Sequence, residues 1–317
     1  MLDFLKKIKL TYTVYNFFHK KQLKHNLAAY KALGMKKRYF SSVSSKDFKG
    51  LKTRIESVND DENIRQNIKS THLFKRLNEE DQRSLLDFNS QGFATVKHYL
   101  SSDNVDKINE EIDLLLKENK VKPNGKNKIM FACNHSKILS ATGNDAGLKE
   151  LLSSLFGNNA ILFQSINFFA GSEQHTHSDS IHMTTYPEGG LLAVWFALED
   201  ITIENGPLHY YPGSHKLPYY MNGDYQNEGN KWLLGDKSYT EYEKMIEEKI
   251  AQHQIKKQVF LAKKGDIFIW HANLFHGGEP HLNKAKTRKS MVFHYFREGD
   301  VCYHEITQRP ALMNSLD

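Results

Sequence analysis

Gln174-His-Thr-His-Ser-Asp-Ser-Ile-His182 is the stretch from which the rest of the chain can be read. On a strand, side chains alternate between faces, so His177 and Asp179 project to the same side. A His-x-Asp pair of this kind supplies two adjacent ligands to one divalent metal. A third comes from Asp266-Ile-Phe-Ile-Trp-His-Ala-Asn-Leu-Phe-His276-Gly-Gly278, where His276 is the candidate. Two histidines and a carboxylate on one side of a metal leave open positions, the arrangement of non-haem Fe(II) oxygenases. The spacing alone leaves competitors. His175 shares the face of His177, His182 lies nearby, and His271 competes with His276. Three histidines would suit zinc better than iron.

Arg288 narrows the choice. It follows His276 by twelve residues, and a guanidinium on the neighbouring strand can fork onto a carboxylate. A dicarboxylic cosubstrate such as 2-oxoglutarate needs that partner at its far end. Around these residues the C-terminal half breaks into short strands. They are expected at 160–169, 175–183, 191–198, 206–211, 258–261, 266–270 and 289–296. Many short strands separated by turns predict a sandwich or barrel. Upstream, Gly92-Phe-Ala-Thr-Val-Lys97 reads as a strand, and Ser101-Ser-Asp103 caps a helix whose Val105, Ile108, Ile112 and Leu115 share a face. Further helices are expected over 79–88, 147–155 and 239–253.

The 317 residues are 39% hydrophobic and 25% charged, which excludes a disordered or fibrous chain. No apolar run approaches the roughly 18 residues of a membrane span. No signal-peptide pattern follows the first lysines, and two cysteines, Cys133 and Cys302, suit a reducing cytosol; a cytoplasmic location is expected. The net charge of +6 conceals an asymmetry, because residues 1–54 hold 14 Lys and Arg against only Asp3 and Asp47. A basic helical arm over 1–58 is therefore expected on a mildly acidic body over 59–317. Residues 1–38 combine an apolar helical stripe with lysines, which fits either peripheral contact with an anionic membrane or a helix packed on the body. Nucleic acid is not an expected partner, since no binding fold accompanies the charge. No phosphate-binding Gly-rich loop, CxxC or nucleophile elbow occurs.

With these motifs in order, the sequence resembles the phytanoyl-CoA dioxygenase family of Fe(II)/2-oxoglutarate-dependent oxygenases. The resemblance runs from about Phe88 to Phe296. It rests on Gly92–Lys97, His177-Ser-Asp179, Trp195-Phe-Ala-Leu-Glu-Asp200, Asn205-Gly-Pro-Leu-His-Tyr-Tyr-Pro-Gly-Ser-His-Lys216, Gly265-Asp266, His276 and Arg288. It implies a mainly β fold, a cupin-like double-stranded β-helix or jelly roll with flanking helices. It also implies that His177, Asp179 and His276 bind Fe(II) and that Arg288 holds 2-oxoglutarate. Gln164 and Trp195 match cosubstrate-binding positions. One departure stands out: the family often carries a hydroxyl two residues after the distal histidine, where this chain has Gly278. Thr184 and Tyr186 are candidates to replace it.

The implied reaction is a dioxygenase one: O2 and 2-oxoglutarate are consumed, succinate and CO2 leave, and a C–H bond of a small or lipid-like substrate is hydroxylated. Asp179 argues against a halogenase, which needs a small residue there. His182, Tyr186 and His209 are the polar groups expected to face substrate. Residues 217–257, rich in tyrosine, are expected to form a lid. The other reading is a non-catalytic scaffold of the same fold that binds metal and tethers through its arm.

Overall fold

Leu191-Leu-Ala-Val-Trp-Phe-Ala197 is apolar at every position, and each of these residues is buried. Such a run belongs to a strand covered on both faces. In the structure, a computed structural model describing residues 6–51, 61–125 and 127–313, this strand is the fifth of twelve. They are β1 (Phe93–Val96), β2 (Lys128–Met130), β3 (Ala160–Phe168), β4 (Thr184–Tyr186), β5 (Leu191–Ala197) and β6 (Leu208–Tyr210). There follow β7 (Gln258–Phe260), β8 (Ile267–His271), β9 (His276–Gly278), β10 (Ser290–Arg297), β11 (Val301–His304) and β12 (Arg309–Pro310). Six form an antiparallel sheet in the order β1-β8-β5-β10-β3-β2; β12-β11-β4 and β7-β6-β9 form two smaller ones.

Alternation along β5 sorts the core into two layers. Leu192, Val194 and Phe196 point outward and pack with Ile267, Ile269, Met291, Phe293 and Tyr295 against helices. Ala193, Trp195 and Ala197 point inward and meet Leu208 and Tyr210 of the small sheet together with Phe268, Trp270 and Val292. The fold is a double-stranded β-helix, mainly β, with helices on its outer face.

The helices are α1 (Lys9–Phe18), α2 (Asn26–Ala32), α3 (Asp61–Ser70), α4 (His72–Arg76), α5 (Glu79–Leu86), α6 (Phe88–Gln91), α7 (Ser102–Lys117), α8 (Lys137–Gly143), α9 (Ala146–Phe156) and α10 (Tyr239–His253). Ser101 caps α7 by accepting from Asn104 N, and Val105, Ile108, Ile112 and Leu115 form its buried face, as the spacing predicts. The N-terminal helix expected over the first 33 residues is broken by a 3-10 turn at Lys20–Leu23, the slip visible in its apolar spacing. Gly34, at φ +65°, ends α2.

The basic arm is bound to the body of the molecule. Ala29, Tyr30, Val43 and Phe48 share a core with Val301 and Tyr303. Lys9 N donates to Trp232 O at 2.9 Å, and Met313 N to Gln22 O at 3.0 Å. The expected boundary at 58/59 lies outside the described residues. No helix among the described residues is long and apolar enough to cross a membrane.

Burial on this scale has a consequence for pH. Desolvation lowers His25 and His215 to about 4 and His271 and His304 to about 3. These groups are neutral when folded, so the unfolded chain binds the extra protons between about pH 6.5 and 4. Their stability contribution is whole above the unfolded value and is lost as pH falls through that window, by up to about 1.4 kcal/mol per histidine per pH unit. Urea melts are therefore expected to show a clearly lower midpoint at pH 5 than at pH 7.5. An unchanged midpoint would mean that these rings are solvated.

Candidate active site

His177, Asp179 and His276 converge at the mouth of the barrel, and one ligand atom of each lies within 4.8 Å of the others. The expected strand over 175–183 is not formed. His177 makes a single antiparallel bridge with His276, the two residues exchanging backbone bonds of 2.9 Å. Asp179 then opens a 3-10 turn, Asp179–Ile181. The reason is local chemistry: Ser178, Asp179 and Ser180 favour turns over a ladder. Tyr242 of α10 also takes Ser178 away from the ladder, accepting from Ser178 N at 3.3 Å and lying 3.0 Å from its Oγ. The bridge and the turn together still bring both side chains to one point.

Each imidazole is oriented by its own chain. Nδ1 of His177 lies 2.9 Å from His175 O, and Nδ1 of His276 lies 2.9 Å from Leu274 O. Donation to those carbonyls leaves both Nε2 lone pairs facing Asp179 Oδ1, at 3.9 and 3.7 Å. This is the tautomer that metal ligation requires. Burial pushes the Asp179 carboxyl up, but the imidazoles of His276, His294 and His177 outweigh it and hold the group well below the usual carboxylate range. Burial, with His276 and His182 adding to it, keeps His177 neutral. A donor set of two imidazoles and a carboxylate suits a divalent cation.

The competitors are placed elsewhere. His175 is exposed and 3.9 Å from Glu247. His271 is half-buried at the end of β8, where its Nδ1 accepts from Asn273 N. His182 lines the cavity with Nε2 2.9 Å from Tyr239 OH, and burial lowers it to about 4.

Two residues touch the carboxylate that the sequence did not assign to it: Trp270, readable there as core or as a cosubstrate contact, and His294. Trp270 Nε1 donates to Asp179 Oδ2 at 2.8 Å, and His294 Nε2 lies 3.6 Å from the same oxygen. Gln164 supports His294, its Nε2 3.2 Å from the ring Nδ1. Alternation would have found His294, since Ser290, Val292 and His294 continue along β10 from Arg288, and Val292 stands opposite Trp195.

The triad and Arg288 face one cavity of about 480 Å³. Arg288 is 2% exposed and packs near Trp195 and Phe168, ring centroids 5.3 and 5.8 Å from its guanidinium carbon. Its Nε donates to Gly206 O and its Nη1 to Ser290 Oγ. Burial brings it down to about 10, so it is a cation at neutral pH. Gln164 and Trp195 line the same cavity. Of the hydroxyls expected to stand in at position 278, neither Thr184 nor Tyr186 belongs to the lining. Tyr186 stacks on Phe48 at 4.2 Å and donates to Leu51 O, and β4 pairs with β11. A side chain at Gly278 would meet Ser172 Oγ at 2.7 Å. Ser172 itself lines the cavity and so carries a hydroxyl to that spot.

His209 lies outside the lining as well, tied between Thr176 Oγ1 and Glu279, each 2.9 Å away. No residue of 217–257 lines the cavity. That insert instead backs the ligand loop, with Tyr242 and Ile246 packed on Ile181 and Phe275.

A barrel holding a His-Asp-His cluster opposite a buried arginine invites comparison with known proteins. The phytanoyl-CoA dioxygenase family profile matches residues 88–290. The chain belongs to the phytanoyl-CoA dioxygenase family. Its relatives include a phytanoyl-CoA dioxygenase domain-containing protein 1 homolog of Dictyostelium discoideum, 34% identical over 137 residues, 41% of this chain and 42% of that protein. The Mus musculus phytanoyl-CoA dioxygenase domain-containing protein 1 is 33% identical over 94 residues, 28% of this chain and 32% of that one. The alignments thus span less than half the length of these curated relatives. Among solved structures, the non-haem alpha-ketoglutarate-dependent carbocyclase SnoK of nogalamycin biosynthesis superposes with a TM-score of 0.58 at 16% identity, covering 73% of this chain and 88% of that one. EctD from S. alaskensis gives 0.55 at 19% identity, covering 74% and 83%. At such identities these two show that the fold of this phytanoyl-CoA dioxygenase family member is shared.

Proposed function

We propose that the chain is an Fe(II)- and 2-oxoglutarate-dependent dioxygenase that hydroxylates an unactivated C–H bond of a small or lipid-like substrate. The observation that carries this reading is the single cavity faced by both the His177–Asp179–His276 cluster and the buried, charged Arg288. His177, Asp179 and His276 would hold the metal, and Arg288 with Ser290 beside it would receive the far carboxylate of 2-oxoglutarate. When bound, the metal, 2-oxoglutarate and O2 supply the oxidising power, with succinate and CO2 as co-products. The protein's own part is orientation and exclusion of water. Trp270 fixes Asp179, the carbonyls of residues 175 and 274 fix the imidazoles, and Phe168, Trp195 and Val292 dry the path between metal and arginine. A non-catalytic scaffold has no need to keep a desolvated arginine on the same cavity as a His-Asp-His cluster. Incubation with Fe(II), 2-oxoglutarate and O2 should give slow formation of succinate without substrate, abolished in His276→Ala. Failure of the wild type to form succinate, with or without candidate substrates, would count against the oxygenase reading.

We also infer that the arm touches anionic membrane. On α1, Leu10, Val14, Phe17 and Phe18 form one exposed apolar face, Phe18 being 78% exposed. Lys20 Nζ sits 3.9 Å above the Phe17 ring, and Lys21 and Lys24 follow. That pairing of apolar stripe and lysine suits an interfacial helix. In liposome flotation, binding to phosphatidylserine vesicles is expected to fall with salt and to be lost in Leu10→Ser/Phe18→Ser. Deleting the whole arm is the poorer test, because α2 is part of the core. Protein that stays below the vesicles at low salt would exclude the contact.

A further inference from the structure

The cavity lining is unbalanced in charge. Its single carboxylate is Asp179, while Lys128, Arg288 and Arg309 are all cations. On the dioxygenase reading, the metal's two charges and Arg288 offset Asp179 and the two carboxylates of 2-oxoglutarate. Lys128 and Arg309 are then left over. Neither has an acidic partner among the described residues, and the Nε of Arg309 is buried without a hydrogen-bond partner. Half-buried cations without counter-charge are costly unless a ligand supplies it.

Both residues are placed by the fold. Lys128 and Met130 are alternate positions of β2, the last strand of the large sheet, and both face the cavity. Arg309 stands opposite His304 in the β11–β12 pair, and its guanidinium carbon lies 5.9 Å from the Tyr12 ring of α1. The walls here are Met130, Phe131, Phe163, Met183, Pro310 and Leu312. The arginine assigned to 2-oxoglutarate has different neighbours, Phe168 and Trp195.

We propose that the substrate is a small amphiphilic anion, a carboxylate or phosphate ester on an apolar body, and that Lys128 and Arg309 receive its charged end. This rests on the dioxygenase reading for the assignment of Arg288. The apolar walls take the body of the molecule, and a cavity of about 480 Å³ shared with 2-oxoglutarate limits its size. Lys128 and Arg309 are specificity-determining residues and take no part in the chemistry.

Anaerobic calorimetric titration tests this with octanoate, octyl phosphate and octanol as probes, on protein loaded with Fe(II) and 2-oxoglutarate. At least one anion should bind, with octanol roughly tenfold or more weaker. Lys128→Met and Arg309→Met should each weaken the anion by roughly tenfold or more, the size of a lost charge-assisted bond. Octanol and 2-oxoglutarate should be unaffected, and Lys128→Arg and Arg309→Lys should restore part of the affinity. The preferred anion distinguishes a carboxylate from a phosphate ester. Octanol binding as tightly as both anions, no binding of either anion, or folded Met variants that keep full anion affinity would overturn the proposal. So would a loss that falls on 2-oxoglutarate instead. The loading step is read separately: protein that takes up no 2-oxoglutarate contradicts the dioxygenase reading, and the same titrations on unloaded protein still report on Lys128 and Arg309.

Discussion

Asp179→Ala is expected to lose Fe(II)-dependent turnover completely while remaining folded. The carboxylate is the only anionic donor of the cluster, and its Oδ1 faces both Nε2 atoms at under 4 Å. Losing a group one bond removed from a metal typically costs 10–100-fold in affinity or activity. Loss of a ligand should exceed about 100-fold. The fold should survive, because the change removes a ligand and leaves Trp270 Nε1 without its acceptor, a cost of about 1–3 kcal/mol. His177→Ala should behave alike. His175→Ala should retain iron, since that ring is on the surface. Metal titration followed by activity checks all three, and full turnover in Asp179→Ala would remove the basis of the assignment.

The second large effect is expected at Arg288. Charge-assisted hydrogen bonds contribute about 1.5–3 kcal/mol, so Arg288→Ala should raise the apparent constant for 2-oxoglutarate roughly 10- to 150-fold. The stem of Arg288→Lys can still reach the site, but an ammonium cannot form the planar fork or keep both the Gly206 and Ser290 contacts. Partial recovery is therefore expected. The variant should bind Fe(II) normally, which separates it from the triad variants. Unchanged 2-oxoglutarate dependence in Arg288→Ala would assign the carboxylate to another cation of the cavity.

Much of the site was legible because its residues sit at fixed strand spacings. His177 and Asp179 are two apart, so a period of two puts both on one face, but it puts His175 there as well, and the order of the family's motifs chose between them. In place of the expected strand over 175–183 the chain has one bridge and one turn, and these bring the same two side chains together. Trp270 and His294 were missed for another reason. Trp270 looks like an ordinary core residue along its own strand, and the pairing of β5 with β8 and β10 brings it to the same carboxylate as His294, which alternation from Arg288 does signal.

Other features depended on contacts between distant segments. A side chain at 278 would meet Ser172 Oγ and the backbone of Glu173, so the hydroxyl beside this position belongs to Ser172, over a hundred residues upstream. The tyrosines of 217–257 carry no periodic signal that could tell a lid from a buttress. Their aromatic partners, Phe275 among them, settle that they pack behind the ligand loop. Tyr186 and His209 lie on short strands whose pairing the sequence did not reveal, and both are engaged outside the cavity.

The central claim is that one cavity holds a metal on His177, Asp179 and His276 together with 2-oxoglutarate on Arg288. Anaerobic addition of 2-oxoglutarate to the Fe(II)-loaded protein tests it before any substrate is known. A weak visible charge-transfer band should appear, saturate with 2-oxoglutarate, require much more of it in Arg288→Ala, and be absent in Asp179→Ala. Iron-loaded wild-type protein that shows no band at saturating 2-oxoglutarate would contradict the account.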